Sequence, residues 1–321
     1  MSKRVALALG SGGARGYAHI GVINELRSRG YEVAGVAGSS MGALVGGLLA
    51  AGSLDEFAEW AATLTQRAVL RLLDPSITAP GVFRAGKFLD AVRDILGEAT
   101  IESLPIPYTA VTTDLIAGKS VWLQRGSMVE AIRASIAIPG VIAPHVLDGR
   151  LLADGGILDP LPMAPIASVN ADLTVAVSVS GIETDVSGDE QAGPDTRATR
   201  ERLNRLLRST SALLDRFGTA ADADDEPAED AAAPTDEDPL GETVRETSVP
   251  RLGSFAVMNR TIDIAQAALA RHQMAAYPPD VLIEVPRTAC RSLDFHRATE
   301  VIALGHDLAA RALDDLDARA E

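Results

Sequence analysis

The sequence is short of sulfur, aromatic rings and positive charge. One cysteine, Cys290, stands among its 321 residues, which rules out an internal disulfide framework and fits a reducing compartment. As a catalytic thiol it is a weak candidate. The 29 Lys and Arg against 44 Asp and Glu leave a net charge of -15. A nucleic-acid partner is not expected, because its footprint needs Lys and Arg clustered on one face. The acidity is concentrated: Thr219 to Glu246 holds eleven carboxylates and one basic residue, so that stretch supplies -10 and the rest is only mildly acidic. Aromatic residues make up only 4%, but apolar residues reach 47%, enough for a full core in one large domain or two modest ones. No Cys/His set has metal-ligand spacing, so neither a catalytic metal nor a cofactor is expected.

Long apolar runs are also scarce. Met1 to Arg4 followed by Val5 to Leu9 imitates a signal peptide, but the run is too short and gives way to Gly10. Val33 to Leu54 is a stretch of 22 uncharged residues with Gly38, Gly42 and Gly46 spaced as in membrane helix pairs. Six glycines and three serines make it a poor spanning segment. A buried strand, a sharp turn and a buried helix explain its apolarity better. The expected location is the cytoplasm, with room for peripheral attachment at the inner membrane face.

Val5 to Leu9 reads as a buried strand running into glycines, and Tyr17 to Ser28 as a helix with Ile20, Ile23 and Leu26 on one face. Val33 to Ala37 repeats the pattern, followed by Gly38 to Gly42 and the helix-forming Ala43 to Ala51. Further strands are expected at Tyr108 to Thr113, Ser120 to Gln124, Arg150 to Ala153, Leu173 to Val179 and Val281 to Val285. Helices are expected about Ser254 to Met274 and Asp294 to Leu316. Alternation of this kind predicts an α/β fold with a mostly parallel sheet covered on both faces.

Three motifs carry chemistry. Gly38-Ser39-Ser40-Met41-Gly42 lies between a buried strand and a buried helix, the context a nucleophile elbow requires. The flanking glycines admit neighbouring backbone, and Ser40 stands at a helix start, where developing negative charge is favoured. Gly10 to Gly16 follows the first strand, and its backbone amides can hold either a cofactor phosphate or the oxyanion of an acyl-transfer intermediate. A dinucleotide site fits imperfectly, since Arg15 takes the third glycine position and the second strand ends in a serine turn. Asp154-Gly155-Gly156 leaves an apolar strand into a turn; alone it is a common loop, with Asp114, Asp148 and Asp159 as comparable carboxylates. Among the histidines, His19 and His306 sit on expected helices, and His145 stays open as a base.

In this order on a β/α chain, the motifs resemble the patatin-like phospholipases, in particular bacterial members related to the catalytic domain of neuropathy target esterase. Gly16 to Val22, Ala134 to Val141, Asp154 to Pro162 and Asp294 to Ala298 extend the likeness to nearly the whole chain outside 182–249. The resemblance implies a three-layer α/β/α fold and hydrolysis of lipid carboxyl esters. Ser40 would be the nucleophile and Asp154 its general base, in a dyad without a catalytic histidine. The oxyanion would lie against backbone amides near Gly12, Gly13 and Ala14, with Arg15 ordering that loop or favouring an anionic substrate. Ser11 departs from the family, where many members have the first of three glycines. The rival readings are a nucleotide-binding or regulatory protein using Gly10 to Gly16 without hydrolysis, and an interaction protein working through the acidic tract.

The expected layout is a hydrolase domain of residues 1–181 and 250–321, interrupted by an insertion, 182–249. Within the insertion, 219–246 has the composition of a disordered tract. Residues 196–217 place Leu203, Leu206, Leu207, Leu213, Leu214 and Phe217 at helical spacing, with Arg197, Arg200, Arg202, Arg205 and Arg208 on much of the remainder. This segment reads either as a surface helix packed by its leucines or as a lid that makes transient contact with anionic lipid.

Overall fold

The computed structural model describes residues 2–73, 85–181 and 254–320. The 182–249 insertion, with its basic segment 196–217 and acidic tract 219–246, lies outside the described residues.

The chain opens with β1 (Arg4–Leu9), a 3-10 turn (Gly13–Tyr17) and α1 (Ala18–Ser28). It continues through β2 (Glu32–Ser39), α2 (Met41–Ala51), α3 (Leu54–Ala62), α4 (Gln66–Leu73) and α5 (Gly86–Leu96). Then come β3 (Tyr108–Asp114), β4 (Lys119–Leu123), α6 (Met128–Ser135), β5 (His145–Leu147), β6 (Arg150–Asp154), α7 (Met163–Ile166) and β7 (Leu173–Gly181). The last described segment holds α8 (Ser254–Ala276), β8 (Val281–Pro286) and α9 (Ala298–Ala320).

The expected strands form with bounds within two residues of those expected, β4 being displaced by one residue toward the N-terminus, and β5 is one the spacing did not show. In β3-β2-β1-β7-β8 every neighbour is parallel. At the other end β4, β5 and β6 pair antiparallel, so the sheet is mixed with mostly parallel strands. The expected first helix, Tyr17 to Ser28, forms as α1 from Ala18 onward, and Tyr17 closes the preceding 3-10 turn, in which Gly13 takes φ +58°. Val33 to Leu54 resolves into β2 and α2, and among the described residues no helix is long and apolar enough to cross a membrane.

Alternation along β1 sorts the layers. Val5, Leu7 and Leu9 enter a large core shared with α1, α2, α3 and α9. Ala6 and Ala8 face the other way, into a smaller cluster with Leu161, Met163, Ile166 and Ala270 from the α7 and α8 side. Strand side chains alternate between faces, so one five-residue run supplies both layers of an α/β/α arrangement. α2 is apolar all round because it is buried all round, and Gly52 at φ +76° ends it.

Close packing is tight where α2 leaves β2. A Cβ on Gly42 would collide with the carbonyl of Leu9, at the end of a central strand. In an exposed helix Gly→Ala gains up to about 1 kcal/mol, but overpacking against backbone costs about 1–3 kcal/mol. Gly42→Ala should therefore lower Tm by about 3–10 °C in differential scanning calorimetry. An unchanged or higher Tm would show that β1 and α2 separate easily.

Candidate active site

Two strands end head to head against one edge of β3. β4 occupies one edge of β3 along Ala110–Asp114. β2 and β6 therefore share the opposite edge: β2 ascends it until Ser39 pairs with Val111, and β6 descends it until Asp154 pairs with Thr112. Adjacent residues of β3 thus bring together chain positions 114 residues apart, and Ser40 Oγ donates to Asp154 Oδ2 at 2.5 Å.

Ser40 is held in an unusual conformation. It has φ 56° and ψ -121°, a region that costs a non-glycine residue about 1–3 kcal/mol and persists only where surroundings enforce it. Gly38 and Gly42 enforce it, since a Cβ on Gly38 would strike the backbone of Gly42. The neighbouring Ser39 hydroxyl donates to the Asp159 carbonyl at 2.5 Å, tying the turn to the loop after Asp154. The Ser40 amide donates to Ser135 Oγ at 2.9 Å, and Ser135 Oγ donates to the Val111 carbonyl at 2.6 Å. Ser135, wholly buried at the end of α6, thereby fastens the backbone of Ser40 to β3. The residue-by-residue reading of the sequence passed over it, although Ala134 to Val141 was among the segments that carried the resemblance.

The Asp154 carboxyl is 3% exposed. Its Oδ1 accepts the Gly156 amide at 2.7 Å. Burial disfavours the charged form and pushes its pKa up to about 6, against the opposing pull of hydrogen bonds from Ser40, Gly156 and Ser11. Ser11, the departure from the family pattern, thus places a hydroxyl beside the carboxyl. A buried carboxyl that titrates near 6 and already receives the serine proton's hydrogen bond has the geometry and basicity of a general base. Of the other carboxylates weighed, Asp114 accepts the amides of its own turn at Ile116 and Ala117. Asp159 is held by Gln273 at 2.8 Å, and burial pushes it to about 6 as well. Asp148 sits in the turn between β5 and β6 at φ 50°.

The histidines serve elsewhere. His145 accepts from Arg133 Nε at 3.0 Å and lies 2.6 Å from Glu130 on α6, so it is engaged away from the serine's hydrogen bond. His19 is completely buried with Nε2 2.9 Å from the Gly10 carbonyl; burial lowers its pKa to about 4 and keeps it neutral as a latch on the glycine loop. His306 contacts Glu25 across the pairing of α1 with α9. Burial also pushes the Cys290 thiol up, away from reactivity.

The glycine loop is narrower as an anion site than its sequence suggests. The amides of Gly10, Ser11 and Ala14 donate to the carbonyls of Val177, Pro160 and Ser292. Ala14 is therefore corrected as a free oxyanion donor. Among the described residues Gly12 and Gly13 keep amides with no acceptor. A diphosphate would need more free amides than that, so the geometry disfavours the nucleotide reading. Arg15 is nearly buried, 3.8 Å from Asp263 of α8, which makes it a brace between loop and helix.

Ser40 and Gly13 lie in the wall of a cavity whose remaining lining is almost entirely apolar, including Leu44, Val69, Phe88 and Ile142. Nothing local in the sequence marks these residues, since side chains that line a cavity look like side chains that fill a core.

Comparison with known proteins completes the picture. A family model described as patatin-like phospholipase matches residues 7–167. An NTE family protein of Mycobacterium tuberculosis is 62% identical over 98% of this chain and 92% of its own. Human patatin-like phospholipase domain-containing protein 6 is 36% identical over 59% of this chain and 14% of its own. Neuropathy target esterase sws of Drosophila melanogaster is 34% identical over the same shares.

A testable cost follows from Asp154. Its folded pKa lies above its unfolded value, so its stabilising contribution is complete below about pH 4 and is lost as pH rises through about 6. Asp154→Asn should leave the unfolding free energy at pH 8 equal to or above that of the parent, by up to about 3 kcal/mol, and should flatten the pH dependence of Tm between 4 and 7. A large loss of Tm at pH 8 would show that the carboxylate stabilises the fold.

Proposed function

The chain belongs to the patatin-like phospholipase family, which implies lipid acyl hydrolysis, and from that premise we propose that it cleaves phospholipid or lysophospholipid carboxyl esters through a Ser40–Asp154 dyad. The observation that carries this reading is the Ser40–Asp154 hydrogen bond in the wall of an apolar cavity suited to an acyl chain.

In this mechanism Asp154 accepts the Ser40 proton as Oγ attacks the ester carbonyl, and the carbonyl oxygen becomes an oxyanion facing the Gly12 and Gly13 amides. The protonated Asp154 then gives its proton to the departing alcohol as the ester bond breaks, leaving the acyl group on Ser40. Water, deprotonated by the same carboxylate, attacks the acyl-enzyme and releases the fatty acid, restoring the serine proton. Ser135, Ser39 and the flanking glycines hold Ser40 in place before substrate arrives, which reduces reorganisation during the reaction. Arg15 steadies the oxyanion loop. Residues 1–181 and 250–321 form the hydrolase domain around the 182–249 insertion, and the enzyme works in the cytoplasm, touching the inner membrane face transiently.

A fluorophosphonate should label Ser40 and no other residue, as mapped by mass spectrometry; turnover without labelling at Ser40 would overturn the assignment. Ser40→Ala should lower kcat by at least about 10⁴-fold. The kcat/KM profile should rise from acid with an apparent pKa near 6, because only ionised Asp154 accepts the proton. Ser135→Ala should lower kcat about tenfold with little change in KM, since it leaves the Ser40 amide without its acceptor.

A further inference from the structure

α4 is a two-faced wall. Its inner residues Val69 and Leu72 line the cavity that Ser40 opens into. Its outer face carries Arg67, Leu70 and Arg71, all exposed, with Leu70 59% accessible. Gln66–Leu73 contains no acidic residue, and among the described residues neither arginine has a carboxylate partner. On a chain of net charge -15 this is a local reversal of sign. The 3-10 turn Phe295–Arg297 packs against α4, and Leu293, two residues before it, is 38% exposed while also lining the cavity. A second apolar side chain thus reaches solvent from the same wall.

We propose that the outer face of α4 docks on an anionic lipid surface and sets the acyl pocket directly against the membrane. Three observations select this occupant. The two arginines complement acidic head groups, and at such surfaces each cation adds attraction that salt screens. Leu70 stands between Arg67 and Arg71 at the position where a side chain enters the acyl boundary while the guanidinium groups remain among head groups. The inner face of the same helix lines the acyl pocket, and beside it Leu293 both lines that pocket and reaches solvent. A soluble protein partner would be served by the outer face alone and would not account for this continuity. The inference rests on the acyl-hydrolase reading, but its test substitutes residues outside the dyad, the oxyanion loop and the cavity lining.

The test uses the full chain, flotation with phosphatidylcholine vesicles with and without phosphatidylglycerol, and two independent variants, Arg67→Glu/Arg71→Glu and Leu70→Asp. The parent should float with the anionic vesicles, stay behind with phosphatidylcholine alone, and be released by salt. Both variants should float at least about tenfold less and lose hydrolysis of vesicle phospholipid in proportion. Hydrolysis of a short soluble ester should stay within about twofold, as expected for surface substitutions, and Ser40 labelling by fluorophosphonate should persist. Variants that float like the parent, or a parent that does not float with anionic vesicles, would overturn the docking proposal while soluble-ester turnover still stood. Loss of soluble-ester turnover and labelling in the parent itself would instead remove the acyl-hydrolase reading.

Discussion

One edge of β3 organises the site. A sheet edge admits one partner at a time, so where β2 ends at Val111, β6 can begin, and the two chain ends meet with their last residues side by side. The Ser40–Asp154 hydrogen bond is the consequence. A fully parallel sheet would have carried another strand past this point and left no carboxylate opposite the elbow. The antiparallel pairing of β4, β5 and β6 is thus the device that turns a strand-helix turn into a two-residue site.

Around that meeting point the protein accepts several unfavourable terms together. Ser40 is strained, Asp154 is buried with its pKa raised, and glycines replace side chains that would add packing. Such costs persist only where the remainder of the fold overdetermines the geometry. Here the remainder is the aliphatic core on the α1, α2 and α9 side, together with the ties from Ser39, Ser135 and His19. The small alanine face of β1 complements this arrangement by letting the short α7 lie close under the sheet near the loop that follows Asp154.

Much of this was legible in the sequence, and the reason differs from element to element. Strands buried on both faces are continuous apolar runs, so β1, β2, β3 and β7 declared themselves. Gly38 and Gly42 marked the elbow because backbone contact excludes any other residue there. Asp154 was one carboxylate among several until the family resemblance singled it out, for nothing in its local sequence says that β6 runs antiparallel into the end of β2. Ser135 left no local signal because a serine that bonds two backbones looks like any helix-end serine. β5 was too short for a periodicity, and Ala14 was misassigned because its acceptor, the Ser292 carbonyl, comes from a distant segment.

That last contact bears on how the protein is made. The Ser292 carbonyl pins the glycine loop, Leu293 and Phe295 line the cavity, and β8 completes the sheet beside β7. Ser40 and Asp154 belong to the first half of the chain, yet part of the glycine loop's anchoring and of the cavity wall comes from these late residues. A chain that stopped before Ser292 would keep Ser40 and Asp154 but lack the tie on Ala14 and the cavity wall made by Leu293 and Phe295.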